Sequence, residues 1–137
     1  MISQVIGNTD EERLQKKAKG YDKDTFKTEL TIIAREILTF LEENKRLKGG
    51  RNPENLVAAT IYAADNIIAK IHQHLGSKHK NILTQSIIAT ATKIKEYTIR
   101  DHYVSLLKPI FVESNFYLSI LNKNNSLFGD EIKNQDF

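Results

Sequence analysis

The sequence predicts an all-α bundle of five to six helices with a helix-turn-helix near its C-terminal end. Apolar residues recur at spacings of three and four through most of the chain. One segment, Leu56 to Ile71, is apolar on nearly every side, as befits a helix surrounded by others. No stretch alternates with the period of a strand, and no internal repeat is visible. A length of 137 residues suits one domain with a real core. The apolar fraction of 40% and charged fraction of 27% are those of a water-soluble globular chain. The absence of cysteine excludes disulfides, thiol nucleophiles and Cys-ligated zinc. No run is long enough to cross a bilayer, and MISQVIGNTDEER lacks the layout of a signal peptide, so a cytoplasmic location and no membrane partner are expected.

Residues 1–22 are expected to form an N-terminal arm. Residues 1–8 are read as loose, followed by a capping box from Thr9 to Glu12 and a short helix that stops at Gly20. With only Leu14 and Ala18 to bury, that helix is expected to lie loosely on the surface. A single helical domain over 23–122 follows. Its first helix, capped by Asp24 or Thr25, carries a stripe of Leu30, Ile33, Ile37, Leu38 and Leu41. It ends at Gly49-Gly50. Asn52-Pro53-Glu54 is a strong helix start: a capping side chain, Pro at the first position, then an acid. The apolar segment behind it, rich in Ala58, Ala59, Ala63 and Ala64, is the expected central helix, and Gly76 ends it. SKHKN then forms a basic polar loop. A final helix within Ile110 to Leu121, capped near Ser114, packs back on the bundle, and 123–137 is expected to be a mobile tail.

Between loop and final helix lies TQSIIATATKIKEYTIRDHY, Thr84 to Tyr103. Thr84 is a suitable N-cap, and Ile87, Ile88 and Ala91 form an apolar face. A polar corner through Thr92 to Lys95 leads to a second helix with Ile99, Tyr103, Leu106 and Leu107 on its inner side. Tyr97, Thr98, Arg100, Asp101 and His102 face outward, and Pro109 closes the helix. The segment from Lys78 to Lys108 holds six Lys or Arg against two acids, a net +4, while the rest of the chain nets −1. A clustered basic face of this kind suits a polyanion through counterion release, which nominates Lys78, Lys80, Lys93 and Lys95 as phosphate contacts. The competing reading of Arg100 is a surface ion pair with Glu96 one turn away.

No catalytic constellation or cofactor motif is apparent, so the chain reads as a binder and not as an enzyme. His72 and His74, two apart, point about 200° apart on a helix. With no evident carboxylate partner, His72, His74 and His79 are read as solvated and not as a metal site. Tyr62 and Tyr103 are read as core aromatics.

Glu29 to Phe111 resembles a cyclin-type repeat of transcription factor IIB and its archaeal counterpart, and is most similar to the second, DNA-reading repeat. GRNPENLVAATIYAA (Gly50 to Ala64), the Thr84 to Tyr103 pair and LLKPIF (Leu106 to Phe111) carry the likeness. The resemblance implies a cyclin box whose second helix of the pair enters the major groove, with base reading at Tyr97 and Arg100 and a phosphate held at Thr98. Arg bridging guanine O6 and N7 contributes about 1–3 kcal/mol of discrimination. The implied DNA-facing set is Lys78, Lys80, Gln85, Lys93, Lys95, Tyr97, Thr98 and Arg100. The chain departs from the family at Lys93, where a Gly is usual, and at Tyr97, where an aliphatic is usual. The stretch Asp65 to Leu83 is longer, and there is no zinc ribbon or second repeat, so a complete initiation factor is not expected. The resemblance implies a nucleoid-associated regulator or accessory initiation factor that binds duplex DNA. The alternative is an interaction module for a TATA-binding protein or polymerase component with little DNA contact of its own. A single reading head also suits a homodimer. The Lys-, Ile- and Asn-rich composition fits an archaeal or archaeal-virus source.

Overall fold

The computed structural model describes residues 1–44, 52–110 and 116–128. Helices α1 (Ile2–Gly7), α2 (Glu11–Lys17), α3 (Lys23–Glu43), α4 (Pro53–His74), α5 (Gln85–Thr92), α6 (Glu96–His102) and α7 (Phe116–Lys123) are followed by a 3-10 turn at Asn125–Phe128. The all-α bundle is therefore as expected, and among the described residues it contains no strand. No helix among them is long and apolar enough to cross a membrane.

Helix α4 is the centre, packed against α3, α5, α6 and α7. It starts as its sequence dictates: Asn52 Oδ1 accepts the amides of Glu54 (2.8 Å) and Asn55 (3.4 Å), ahead of Pro53 at the first position. Ala58, Ala59, Ala63 and Ala64 are fully buried, so neighbours come close to its backbone. Helix α3 lays Leu30, Ile33, Ile37 and Leu41 against it. Each such side chain contributes roughly 1.5–3 kcal/mol by burial.

The N-terminal segment differs from the sequence reading. Residues expected to be loose form α1, which buries Val5 and Ile6 and packs on α3 and α5. Thr9 is buried and donates to the Val5 carbonyl (2.9 Å), so Asp10, not Thr9, caps α2 by accepting the Glu12 amide. Leu14 and Ala18 sit in the core and not on a loose surface helix. The cap of α3 also shifts, from Asp24 or Thr25 to Asp22, which accepts the Thr25 amide at 2.7 Å. That bond holds the Asp22 carboxyl below the usual carboxylate range. At the other end, α7 runs to Lys123 and Phe128 is buried beyond it. Gly49-Gly50, Ser114 and residues 129–137 lie outside the described residues.

Helix α4 runs to His74, so the connection to α5 is short, and it is bound along its whole length. Gln73 Nε2 donates to the His79 carbonyl (2.7 Å) and Asn81 Nδ2 to Asn66 Oδ1 (2.6 Å). The buried Asp65 carboxylate accepts the Ile82 amide (3.1 and 3.2 Å) and the Leu83 amide (3.0 Å). On the opposite side, Lys80 N donates to the Lys17 carbonyl (2.8 Å) and Arg13 Nε to the Ile82 carbonyl (2.6 Å).

Two of the histidines read as solvated are core residues. His79 is buried and stacks on His72 with ring centroids 4.4 Å apart and planes 4° from parallel. His72 Nε2 lies 2.7 Å from Glu29 Oε1, which also accepts the Tyr21 hydroxyl at 2.8 Å. The carboxylate partner missing from the local sequence is thus supplied by α3. His74 is exposed, as expected. Among the described residues no cluster of three or more His, Asp or Glu is placed to hold a metal ion.

Burial pushes Asp65 up to about 7, against the pull of the Leu83 and Ile82 amides and the Arg13 guanidinium. Burial, with His72 beside it, lowers His79 to about 3. The stability tied to Asp65 is full below about pH 4 and is lost as pH rises through 7. That tied to His79 is full above pH 6.5 and is lost as pH falls toward 3. Each changes stability by about 1.4 kcal/mol per pH unit, so the two cancel between about pH 4 and 6.5. In Asp65→Asn the His79 dependence stands alone. Urea unfolding from pH 4.5 to 6.5 should then show stability rising by about 1 kcal/mol per unit, whatever the absolute loss. A slope as flat as that of the parent chain would contradict the opposed pair.

Candidate nucleic-acid interface

Helix α6 owes its position to α5, which precedes it. Thr84 caps α5 as expected, accepting the Ile87 amide at 3.0 Å, and the bond network at Asp65 fixes the two residues just before it. Ile88 is fully buried. At the end of α5, Lys93 takes the left-handed conformation (φ 63°, ψ 16°), the only non-glycine with positive φ among the described residues. For an L-residue this costs roughly 1–2 kcal/mol. The neighbouring Thr92 holds the turn: its hydroxyl donates to the Ile88 carbonyl (2.7 Å) and accepts the Ile94 amide (3.3 Å). Lys93 N itself bonds the Ala89 carbonyl at 2.8 Å. The corner keeps the geometry usually given to Gly, with a lysine in its place.

Helix α6 is anchored to α4 by fully buried Ile99 and by an edge-on contact of Tyr103 with Tyr62, centroids 4.9 Å apart and planes 88° from parallel. Burial, with Tyr62 beside it, raises the Tyr103 phenol above its ordinary value. Beyond His102 the axis continues through a wide π-type turn, Tyr103–Leu107, closed by Lys108 N on the Tyr103 carbonyl. Pro109 therefore does not close the helix: residues 108–110 remain helical. The wide turn shifts the hydrogen-bond register just ahead of the residue that has no amide to donate.

The structure brings together five of the eight residues of the expected DNA-facing set. Lys93 and Lys95 lie on the corner, and Tyr97, Thr98 and Arg100 on the first turns of α6. Tyr97 is 75% exposed. Arg100 is exposed, and the expected alternative of an ion pair with Glu96 is not formed. Helix α6 starts at Glu96, two residues before Thr98, and the Thr98 amide already donates to the Lys95 carbonyl (3.0 Å). The Thr98 carbonyl lies 2.9 Å from His102 Nδ1. Gln85, Lys78 and Lys80 are not part of this group. Gln85 opens α5, and the two lysines stand on the connection bound to α2, at the other end of α5. Eight residues of helix separate the two ends by about 12 Å. The even basic segment of the sequence is thus two groups of cations in space. Sequence reading missed the residues that position the pair, Asp65 and Arg13. An acid in the middle of an otherwise apolar helical run was the available signal for the first.

An all-α bundle that projects a short helix, with cations at its start, defines the class. Among curated proteins the chain is similar to a transcription initiation factor IIB from Caldivirga maquilingensis, 31% identical over 83 residues. The match covers 59% of this chain and 21% of the relative, so the chain spans about a fifth of that protein's length. No protein-family profile and no solved structure matches the chain.

Replacing Lys93 with Gly removes the left-handed cost, partly offset by the greater freedom of Gly in the unfolded chain. Lys93→Gly is expected to be about 0.5–1 kcal/mol more stable than the parent in urea with an unchanged m-value, while Lys93→Ala, which keeps the strain, is not. Equal stabilities for Gly and Ala would show that the corner is not strained.

Proposed function

We propose that the chain is a DNA-binding accessory or regulatory protein of transcription, built like a single cyclin-type repeat, that presents α5 and α6 as a helix-turn-helix. The observation that carries this reading is the exposed start of α6. Tyr97 and Arg100 point outward with no ion pair among the described residues, on a helix whose opposite side is locked into the core by Ile99 and Tyr103. A short helix held in this way inserts into the major groove with its N-terminal residues against base edges. Arg100 is suited to guanine, and Lys93 and Lys95 to the flanking phosphates. The distant similarity to a transcription initiation factor IIB supports the same direction. The chain is taken to act by binding, without catalysis.

A second reading draws on one observation. Val104, in the wide turn that follows α6, is 50% exposed, so this stretch also offers apolar surface to a protein such as a TATA-binding protein or a polymerase component. Duplex titration separates the two. With three to five phosphates engaged, the logarithm of affinity should fall with the logarithm of salt at a slope of about −3 to −4.5. Arg100→Ala should lose about 1–3 kcal/mol of preference for the selected sequence over a scrambled duplex. Unaltered duplex binding and preference in Arg100→Ala would end the recognition-helix assignment. Salt-insensitive capture of the protein partner would favour the second reading.

A further inference from the structure

The connection between α4 and α5 does more than join them. It brings Lys78 and Lys80 against the last turn of α2 and the residues just after it, where Lys16, Lys17 and Lys19 stand. Lys80 N bonds the Lys17 carbonyl at 2.8 Å. A cavity of about 100 Å³ beside this bond is lined by Ala18, Lys19, Gly20, Tyr21, Ser77 and His79, so both segments face the same space. Residues 16–19 and 77–80 together carry five ammonium groups and no acid. Lys16, Lys19, Lys78 and Lys80 are exposed, and none of the five is in an ion pair among the described residues. The two segments are about sixty residues apart in the chain, and their meeting is visible only in the fold.

The end of a helix accounts for part of this charge. The carbonyls of the last turn of α2 act as about half a negative charge, which favours a nearby lysine. Half a charge does not balance five ammonium groups, two of them delivered by another segment. We infer that this lysine cluster is a second phosphate-binding surface, which holds the sugar-phosphate backbone of the same duplex that α6 reads. It rests on the duplex-binding reading above and extends it to α2, which lies outside the helix pair. The cluster lies on α2 and on the connection that leads into α5, while Lys93 and Lys95 stand beyond the far end of α5, so the two cation groups are distinct. The cluster contributes affinity and orientation, and no sequence preference.

The test is a salt series of duplex titrations on the full chain carrying Lys16→Gln, Lys17→Gln and Lys19→Gln together, with Arg100→Ala in parallel. Thermal unfolding of each variant verifies that it is folded. Each lost phosphate contact should reduce the salt slope by about 1 and weaken all sequences alike. The triple variant is therefore expected to lose about 2–3 from the slope, with its ratio of selected to scrambled duplex unchanged, while Arg100→Ala changes that ratio. An unaltered slope in a folded triple variant, with the parent still binding duplex, overturns the second surface and leaves the α6 reading standing. Failure of the parent chain to bind duplex removes the reading itself and the surface with it. If the triple variant fails to fold, Lys78→Gln with Lys80→Gln, on the opposite segment, gives the same readout with an expected reduction of about 2.

Discussion

The contact between the Asp65 carboxylate and the amides of Ile82 and Leu83 is the constraint on which the projecting part of the molecule depends. Asp65 belongs to the central helix, and the two amides immediately precede the cap of α5. A buried amide without an acceptor costs about 1–3 kcal/mol, so the connection has one favourable path along α4. Arg13 and Lys17 hold its other side from α2. The start of α5 is thereby set from two directions, and the Thr92 hydroxyl carries that order around the Lys93 corner into α6. The orientation of a short exposed helix is thus decided in the core.

The same packing explains why buried polar groups cluster at one end of the bundle. Glu29 on α3 accepts from both Tyr21 and His72, and His79 stacks on His72 from the connection. These groups close the space between α3, α4 and the loop that Asp65 anchors. Burial works on them in opposite directions, raising the acid Asp65 and lowering the base His79. Both shifts favour the uncharged form of the group concerned. The outer face, by contrast, concentrates positive charge in two groups, at the corner after α5 and where the connection before it meets α2.

Much of this was legible in the sequence, where the signal was local. The start of α4 at Asn52-Pro53-Glu54, its apolar surroundings, the Thr84 cap and the inward face of α6 all follow from spacing and cap chemistry, and Lys93 was identifiable as the unusual corner residue. What was not legible depended on distant partners. Glu29 meets His72 across 43 residues and Arg13 meets Ile82 across 69, and neither pairing leaves a periodic trace. The histidines looked solvated because their local neighbours are polar. The N-terminal segment looked loose because α1 is short and α2 offers little but Leu14, yet Val5, Ile6, Leu14 and Ala18 fill gaps shaped by other helices. Competing cap residues within two positions of each other, as at Asp22 and Asp24, are separated by backbone geometry that sequence does not specify.

The central claim is that the core holds α6 outward to meet duplex DNA. Mapping backbone amide chemical shifts of the isotope-labelled full chain during titration with duplex tests it most directly. The account predicts perturbations concentrated at residues 93–101, with a second group at 16–19 and 77–80, and little change on the outer face of α7. Perturbations centred on α3 and α7, or none at saturating duplex, would contradict it.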